Sequence, residues 1–237
     1  IAKKSAFIID MDGVIYHGDR LLPGVPEFVD WLKRENKKFL FLTNSSDKTP
    51  ALLSKKLERL GIEVDEVHFY TSALCTAQFL AKQHPNGSAF CIGEIGLITA
   101  LEEVGFTITD ETPDYVVIGE TSRPELYNYT TIQKAVNLVR GGAKLIGTNV
   151  DVVDKVEDGF APACGSLAAP VEAATGVKTY YLGKPNPLMM ASAQQRLGSL
   201  RSETVIIGDR MDTDMIGGLE AGIDTLLVLS GVTSLEE

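Results

Sequence analysis

The stretch Ala6-Phe7-Ile8-Ile9-Asp10-Met11-Asp12-Gly13-Val14 decides the fold. Its apolar residues run on without alternation, the pattern of a strand covered on both faces, and such strands belong to parallel sheets wrapped by helices. The run stops on two acids and a glycine. In open α/β sheets reacting groups sit beyond the carboxyl ends of strands, so Asp10 and Asp12 stand where a site is expected. Alternation along an extended chain turns residues i and i+2 to one side, bringing both carboxylates toward one cavity. Gly13 lets backbone N–H groups come close to an anion. Alone, the segment reads equally well as an acidic turn closing a strand.

Working outward, the same kind of run recurs at Lys38–Thr43, Val67–Thr71, Ala89–Gly93, Tyr115–Gly119, Lys144–Thr148, Thr179–Leu182, Thr204–Gly208 and Thr225–Leu229. Helical patterns fall between them, and this alternation predicts parallel sheets covered by helices. Val25, Phe28, Val29 and Leu32 form one apolar stripe; Thr49-Pro50 opens a second helix carrying Leu53, Leu57 and Leu60, with Gly61 as its stop. Ser122-Arg123-Pro124-Glu125 reads as a capping box opening a helix that ends near Gly141-Gly142. Turn-rich residues 83–88 and 176–178 mark candidate domain boundaries. On pattern alone, one continuous doubly wound sheet is the equal alternative.

Three more polar clusters follow strands. Thr43-Asn44-Ser45-Ser46 offers hydroxyl and amide donors suited to phosphate oxygens, though Ser and Thr also cap helices there. Gly183-Lys184-Pro185-Asn186-Pro187 holds a lysine able to neutralise both a carboxylate and a phosphoryl group; by itself it would be an ordinary loop cation. Gly208-Asp209-Arg210-Met211-Asp212-Thr213-Asp214 matches the oxygen-ligand preference of Mg²⁺, or the acidic first turn of a helix, a role left to Asp212. Together the four clusters supply a nucleophile, charge neutralisation, a metal site and an acid/base for phosphoryl transfer.

Composition bounds the alternatives. The 237 residues, 44% of them hydrophobic, supply a sizeable core, and the net charge of −10 argues against a nucleic-acid surface. The uncharged stretch from Val67 to Ala81 is too short and too polar to span a bilayer, so no membrane partner is expected. Cys75, Cys91 and Cys164 are odd in number and lack a CxxC pair, which points away from a disulfide framework and toward a reduced, cytoplasmic setting. The N-terminal IAKKSAFIID lacks the apolar region of a secretory signal, and its missing initiator Met suggests a trimmed start. His17, beside the first motif, reads as a solvated or hydrogen-bonded loop residue.

In this order, DxDGV, LTNSS, GKP and GDxxxTD resemble the four motifs of the haloacid dehalogenase superfamily. TSALCTAQFL, IGEIGL, GTNVD, PACGSL, GDRMDTDMIGG and VLSGVTSL extend the likeness to its NagD-type phosphatase family over nearly the whole chain. The resemblance implies an α/β fold: a doubly wound, HAD-like (Rossmannoid) core at residues 1–84 and 179–237, with an inserted α/β C2 cap at 85–178 that governs substrate choice. It implies Mg²⁺-dependent hydrolysis of phosphate monoesters through an aspartyl-phosphate, on nucleoside monophosphates or other small phosphorylated metabolites. Asp10 would be nucleophile and metal ligand, and Asp12 the acid/base, binding metal through its carbonyl. Lys184 would neutralise charge; Gly13, Thr43 and Asn44 would bind phosphate. Asp209 would ligate metal with Asp214 supporting it from behind. Asn149 and Asp151, opening a loop that runs to Cys164, would be cap contacts to substrate. A homo-oligomer is compatible with these features. The chain ends at Ser234-Leu235-Glu236-Glu237, short of the C-terminal segment expected in the family. The competing readings are a receiver-like phospho-accepting signalling module, which lacks an acid two residues beyond its acceptor, and a non-catalytic small-molecule binding protein.

Overall fold

A computed structural model of the chain describes residues 1–156 and 159–234. The chain opens with β1 (Ala6–Asp10), β2 (Tyr16–His17), β3 (Arg20–Leu21), α1 (Val25–Arg34), β4 (Lys38–Thr43), α2 (Pro50–Arg59) and β5 (Phe69–Thr71). It continues through α3 (Ser72–Gln83), β6 (Ser88–Ile92), α4 (Ile95–Glu103), β7 (Thr107–Ile108), β8 (Tyr115–Ile118), α5 (Tyr129–Arg140) and β9 (Lys144–Gly147). Then come β10 (Val153–Val156), β11 (Gly159–Pro162), α6 (Cys164–Thr175), β12 (Tyr180–Tyr181), α7 (Pro187–Leu197), β13 (Thr204–Gly208), α8 (Ile216–Ala221) and β14 (Asp224–Leu227).

The chain divides into two compact units. The first comprises Ile1–Thr43, Pro50–Tyr70 and Lys184–Glu237; the second comprises Asn44–Thr49 and Thr71–Gly183. In the first unit the sheet order is β14-β13-β1-β4-β5. The fully buried β1 lies at its centre, pairing in parallel with β13 and with β4, so that Asp10 stands opposite Leu42. An unbroken apolar run is what this position demands, because both faces are covered. Phe7 packs edge-on against Trp31 of α1, with ring centroids 5.6 Å apart. Val25, Val29 and Leu32 of α1 turn inward as their spacing predicts, while Lys33 and Arg34 occupy its last turn, where cations complement the helix dipole. Burying one such large apolar side chain contributes about 1.5–3 kcal/mol.

The second unit repeats the logic with a sheet ordered β12-β9-β8-β6-β7, parallel at every pairing. Its core gathers Ile92, Val116, Ile118, Ala135, Leu145 and Val171 between the sheet and helices α5 and α6. Two local readings differ from the sequence analysis. The expected capping box at Ser122 and Glu125 does not open α5: Glu125 is held by Arg123, and Asn128 caps the helix with Thr131 instead. The polar insertion after Asp151 forms an antiparallel hairpin, β10 with β11, in which Gly159 takes a φ of 125° that other residues avoid. Glu157 and Asp158 of that insertion, and residues 235–237 of the chain's last segment, lie outside the described residues. All three cysteines are free, and burial pushes the Cys91 and Cys164 thiols up to about 12 and about 11. Among the described residues no helix is long and apolar enough to cross a membrane.

Candidate active site

Two strand ends of the first unit, with the loop before α7, build a buried charge cluster. β1 ends on Asp10. Lys184 reaches it from the loop before α7, its Nζ 2.5 Å from Asp10 Oδ1 and 2.8 Å from Asp214 Oδ1. The side chains of Asp10, Lys184 and Asp214 are 10%, 4% and 0% exposed. β13 delivers Asp209, after which a single wide π-type turn, Met211–Met215, buries Thr213, Asp214 and Met215. That turn brings Asp214 back so that the Arg210 N–H donates to its Oδ2 at 3.2 Å, and π-type turns recur at functional sites. Asp212 points elsewhere and pairs with Arg210 at 2.7 Å.

Electrostatics follows from this enclosure. Burial and then the Asp214 carboxylate push Asp10 well above the usual carboxylate range, against the pull of Lys184. Burial also raises Asp209, opposed by the N–H of Val232, which donates to its Oδ2 at 2.7 Å. Burial disfavours the Lys184 ammonium, yet Asp10 and Asp214 outweigh it and hold the lysine above its ordinary range. Carboxylate oxygens of Asp10, Asp209 and Asp214 lie within 4.8 Å of one another. Three carboxyl groups share one ammonium, and Asp209 Oδ1 is buried with no hydrogen-bond partner. An oxygen-rich, buried pocket with an orphaned acceptor fits a small hard divalent cation.

The remaining first-unit candidates stand in the loop after β1 and at the end of β4. Gly13 sits at φ 79°, and a Cβ there would lie 2.5 Å from Asp209 Oδ2, so both backbone shape and space require glycine. The Gly13 N–H donates to the Tyr16 carbonyl and its own carbonyl accepts from Ser230 Oγ, which fixes the loop after β1. Asp12 is 77% exposed, with Oδ1 3.7 Å from His17 Nδ1. Two acids two residues apart thus occupy opposite environments, one buried and one exposed. Thr43 closes β4.

In the second unit, the residues after Thr43 meet those proposed from the cap loop. Asn44 Nδ2 donates to Asp151 Oδ2 at 2.8 Å, and Asn149 Nδ2 donates to the Asn44 carbonyl at 2.8 Å. Asn149 and Asp151 are both buried. Glu120, which no sequence motif marked out, accepts from Asn149 Nδ2 at 2.6 Å and from the Ser46 N–H at 3.1 Å. The available signal was an acid directly after the buried run Tyr115–Gly119, akin to the signal that singled out Asp10. Burial pushes the Glu120 carboxyl up to about 8, Asp154 adding to the shift and the Asn149 amide opposing it.

The haloacid dehalogenase-like hydrolase family matches residues 7–107, and a HAD-hydrolase-like family matches residues 181–237. A dihydroxyacetone phosphatase of Corynebacterium glutamicum is 45% identical over 228 residues, covering 96% of this chain and 82% of the relative. Ribonucleotide monophosphatase NagD of Escherichia coli is 40% identical over 230 residues, 97% of this chain and 89% of the relative. The NagD structure superposes with a TM-score of 0.92 over 99% of this chain and 91% of its own. A glycerol phosphate phosphatase of Mycobacterium tuberculosis, solved in complex with magnesium, is 30% identical with a TM-score of 0.91, over 98% of this chain and 69% of that one.

An acid-rich centre at the carboxyl ends of a parallel sheet, shared in fold with these proteins, defines an α/β phosphoric monoester hydrolase. Within that class the chain belongs to the haloacid dehalogenase-like hydrolases, in their NagD-type phosphatase family.

Proposed function

We propose that this chain hydrolyses phosphate monoesters of small metabolites through an aspartyl-phosphate on Asp10, with Mg²⁺ as cofactor. The observation that carries the reading is the buried contact of Lys184 with Asp10 and Asp214 beside Asp209, a centre whose oxygen ligands and ammonium suit a metal and a phosphoryl group together. A carboxylate oxygen of Asp10 attacks phosphorus as the ester P–O bond breaks, and Asp12 gives a proton to the departing alkoxide. Water then attacks the phosphorus of the aspartyl-phosphate while Asp12 takes its proton, releasing phosphate and restoring Asp10. Lys184 holds positive charge between nucleophile and phosphoryl oxygens. Thr43, Asn44 and the backbone at Gly13 supply donors to those oxygens. Asp10, Asp209 and the Asp12 carbonyl would hold Mg²⁺, with Asp214 bracing the site through Lys184. When bound, the metal offsets the repulsion between carboxylate and phosphate dianion.

Substrate choice is assigned to residues 85–178. The named activities of the relatives, on ribonucleotide, dihydroxyacetone and glycerol phosphates, favour small phosphorylated metabolites, nucleoside monophosphates included. The net charge of −10 supports no role for nucleic acid, and three free cysteines suit a cytoplasmic setting. Phosphate release across a panel of nucleotides, triose phosphates and sugar phosphates ranks the candidates.

Two outcomes test the chemistry. Asp12→Asn lowers kcat by roughly 10²–10⁴-fold, the range of general acid–base groups, and more for an alkyl phosphate than for p-nitrophenyl phosphate, whose leaving group needs little protonation. Full activity of that variant toward the alkyl ester would remove Asp12 from its role. Chelation abolishes turnover and Mg²⁺ restores it; Mg²⁺ also raises the melting temperature by mass action, a shift that Asp209→Asn lacks. An equal shift in that variant places the metal elsewhere.

A further inference from the structure

We propose that Glu120 is a positioning residue for phosphate binding, holding the Asn44 segment in place through Asn149 and Ser46. The inference rests on the reading above that Asn44 contributes to phosphate binding. Three features carry it. Glu120 stands just beyond β8, and its two carboxylate oxygens take two different donors, Asn149 Nδ2 at 2.6 Å and the Ser46 N–H at 3.1 Å. Those donors lie on either side of one structural problem, the path of the backbone after Thr43. Asn149 uses the same amide to donate to the Asn44 carbonyl, which also receives Ser72 Oγ at 2.5 Å, so Glu120 anchors the group that orients Asn44.

The tie is reciprocal. Ser46 Oγ accepts the Glu120 N–H at 3.0 Å and is approached by Thr148 Oγ1 at 3.2 Å, so Ser46 and Glu120 exchange hydrogen bonds as a closed pair. Ser46 is fully buried, and a Cβ on Gly119 would come within 2.7 Å of its Oγ, which leaves the segment no room to slide. The hydrogen bonds of Glu120 run to Asn149 and to Ser46, so its effect is on where phosphate-binding donors sit and not on bond making.

The test uses steady-state kinetics with p-nitrophenyl phosphate in saturating Mg²⁺. Glu120→Ala raises KM roughly tenfold, the scale of one buried hydrogen bond, with kcat within about threefold of the parent. Glu120→Gln, which keeps one acceptor and turns a donor toward the other partner, gives an intermediate KM. It also serves should the alanine variant fail to fold, and an unchanged KM for it overturns the proposal. Because Glu120 and Asn149 act through one tie, the double variant Glu120→Ala/Asn149→Ala is no worse than the poorer single one; effects that multiply overturn it. Asn44→Ala separates the two levels. If it raises KM while Glu120→Ala does not, the positioning role fails and phosphate binding by Asn44 stands. If Asn44→Ala leaves KM unchanged, the underlying reading fails and this inference falls with it.

Discussion

Asp10→Asn abolishes turnover of p-nitrophenyl phosphate while leaving the protein folded, and in the absence of metal it makes the protein more stable. The kinetic loss is at least about 10⁴-fold, because removing a covalent nucleophile costs up to around 10⁶ in kcat and leaves only binding and electrostatic assistance. Acid-quenched samples of the parent carry phosphate on protein; those of the variant do not. The stability gain has a separate origin. Burial and Asp214 raise Asp10 above the carboxylate range, so its unfolded form ionises first. Native stability therefore falls as pH rises past an ordinary Asp pKa of about 3.9 and through the higher native one. Asparagine does not ionise and escapes that loss. Urea midpoints of the metal-free proteins should coincide near pH 4 and separate toward pH 8, with the variant ahead. A parent that equals or exceeds the variant at pH 8 would contradict the assigned environment.

Lys184→Met acts in the opposite direction on stability and in the same direction on activity. Methionine matches the length of the stem but leaves Asp10 and Asp214 buried beside Asp209 without their common cation. Breaking a buried pair by removing one partner typically costs 3–5 kcal/mol, since the other charge stays desolvated and unpaired. In a chain of this size each kcal/mol moves the melting temperature by about 2–4 °C, so a drop on the order of 10 °C is expected. The deficit shrinks in acid, where the orphaned carboxylates take up protons, and kcat falls because nothing then offsets the approach of carboxylate to phosphate. Circular dichroism melts at pH 5 and pH 8 check this. A variant as stable as the parent at both would mean that the 2.5 Å and 2.8 Å contacts hold little of the site together.

The acids at strand ends were legible because two local signals coincide there: an unbroken apolar run, then a polar group with nowhere to go but a crevice. That reasoning reaches Asp10, Lys184 and Asp209 from the sequence. It reaches Asp214 less well, since only the π-type turn shows that this side chain contacts Lys184 directly. It reaches the second unit least. Asn149 and Asp151 read as groups facing substrate, but their hydrogen bonds to Asn44 span 105 and 107 residues, a separation that no local pattern reports. Glu120 gave the right signal after a buried strand, yet it has no second acid nearby and was passed over. The start of α5 went astray for a related reason. Ser122 and Glu125 have the spacing of a cap, but Arg123 takes the Glu125 carboxylate, and Asn128 with Thr131 offers a complete box six residues later.

Six residues, Asn44–Thr49, interrupt the sequence of the first unit yet belong by packing to the second. Anyone grafting a foreign specificity module onto this scaffold would therefore have to transplant two pieces of chain. A swap of Thr71–Gly183 alone would strand Ser46 without its Glu120 and Asn44 without its Asp151, leaving behind a segment whose packing partners had been exchanged.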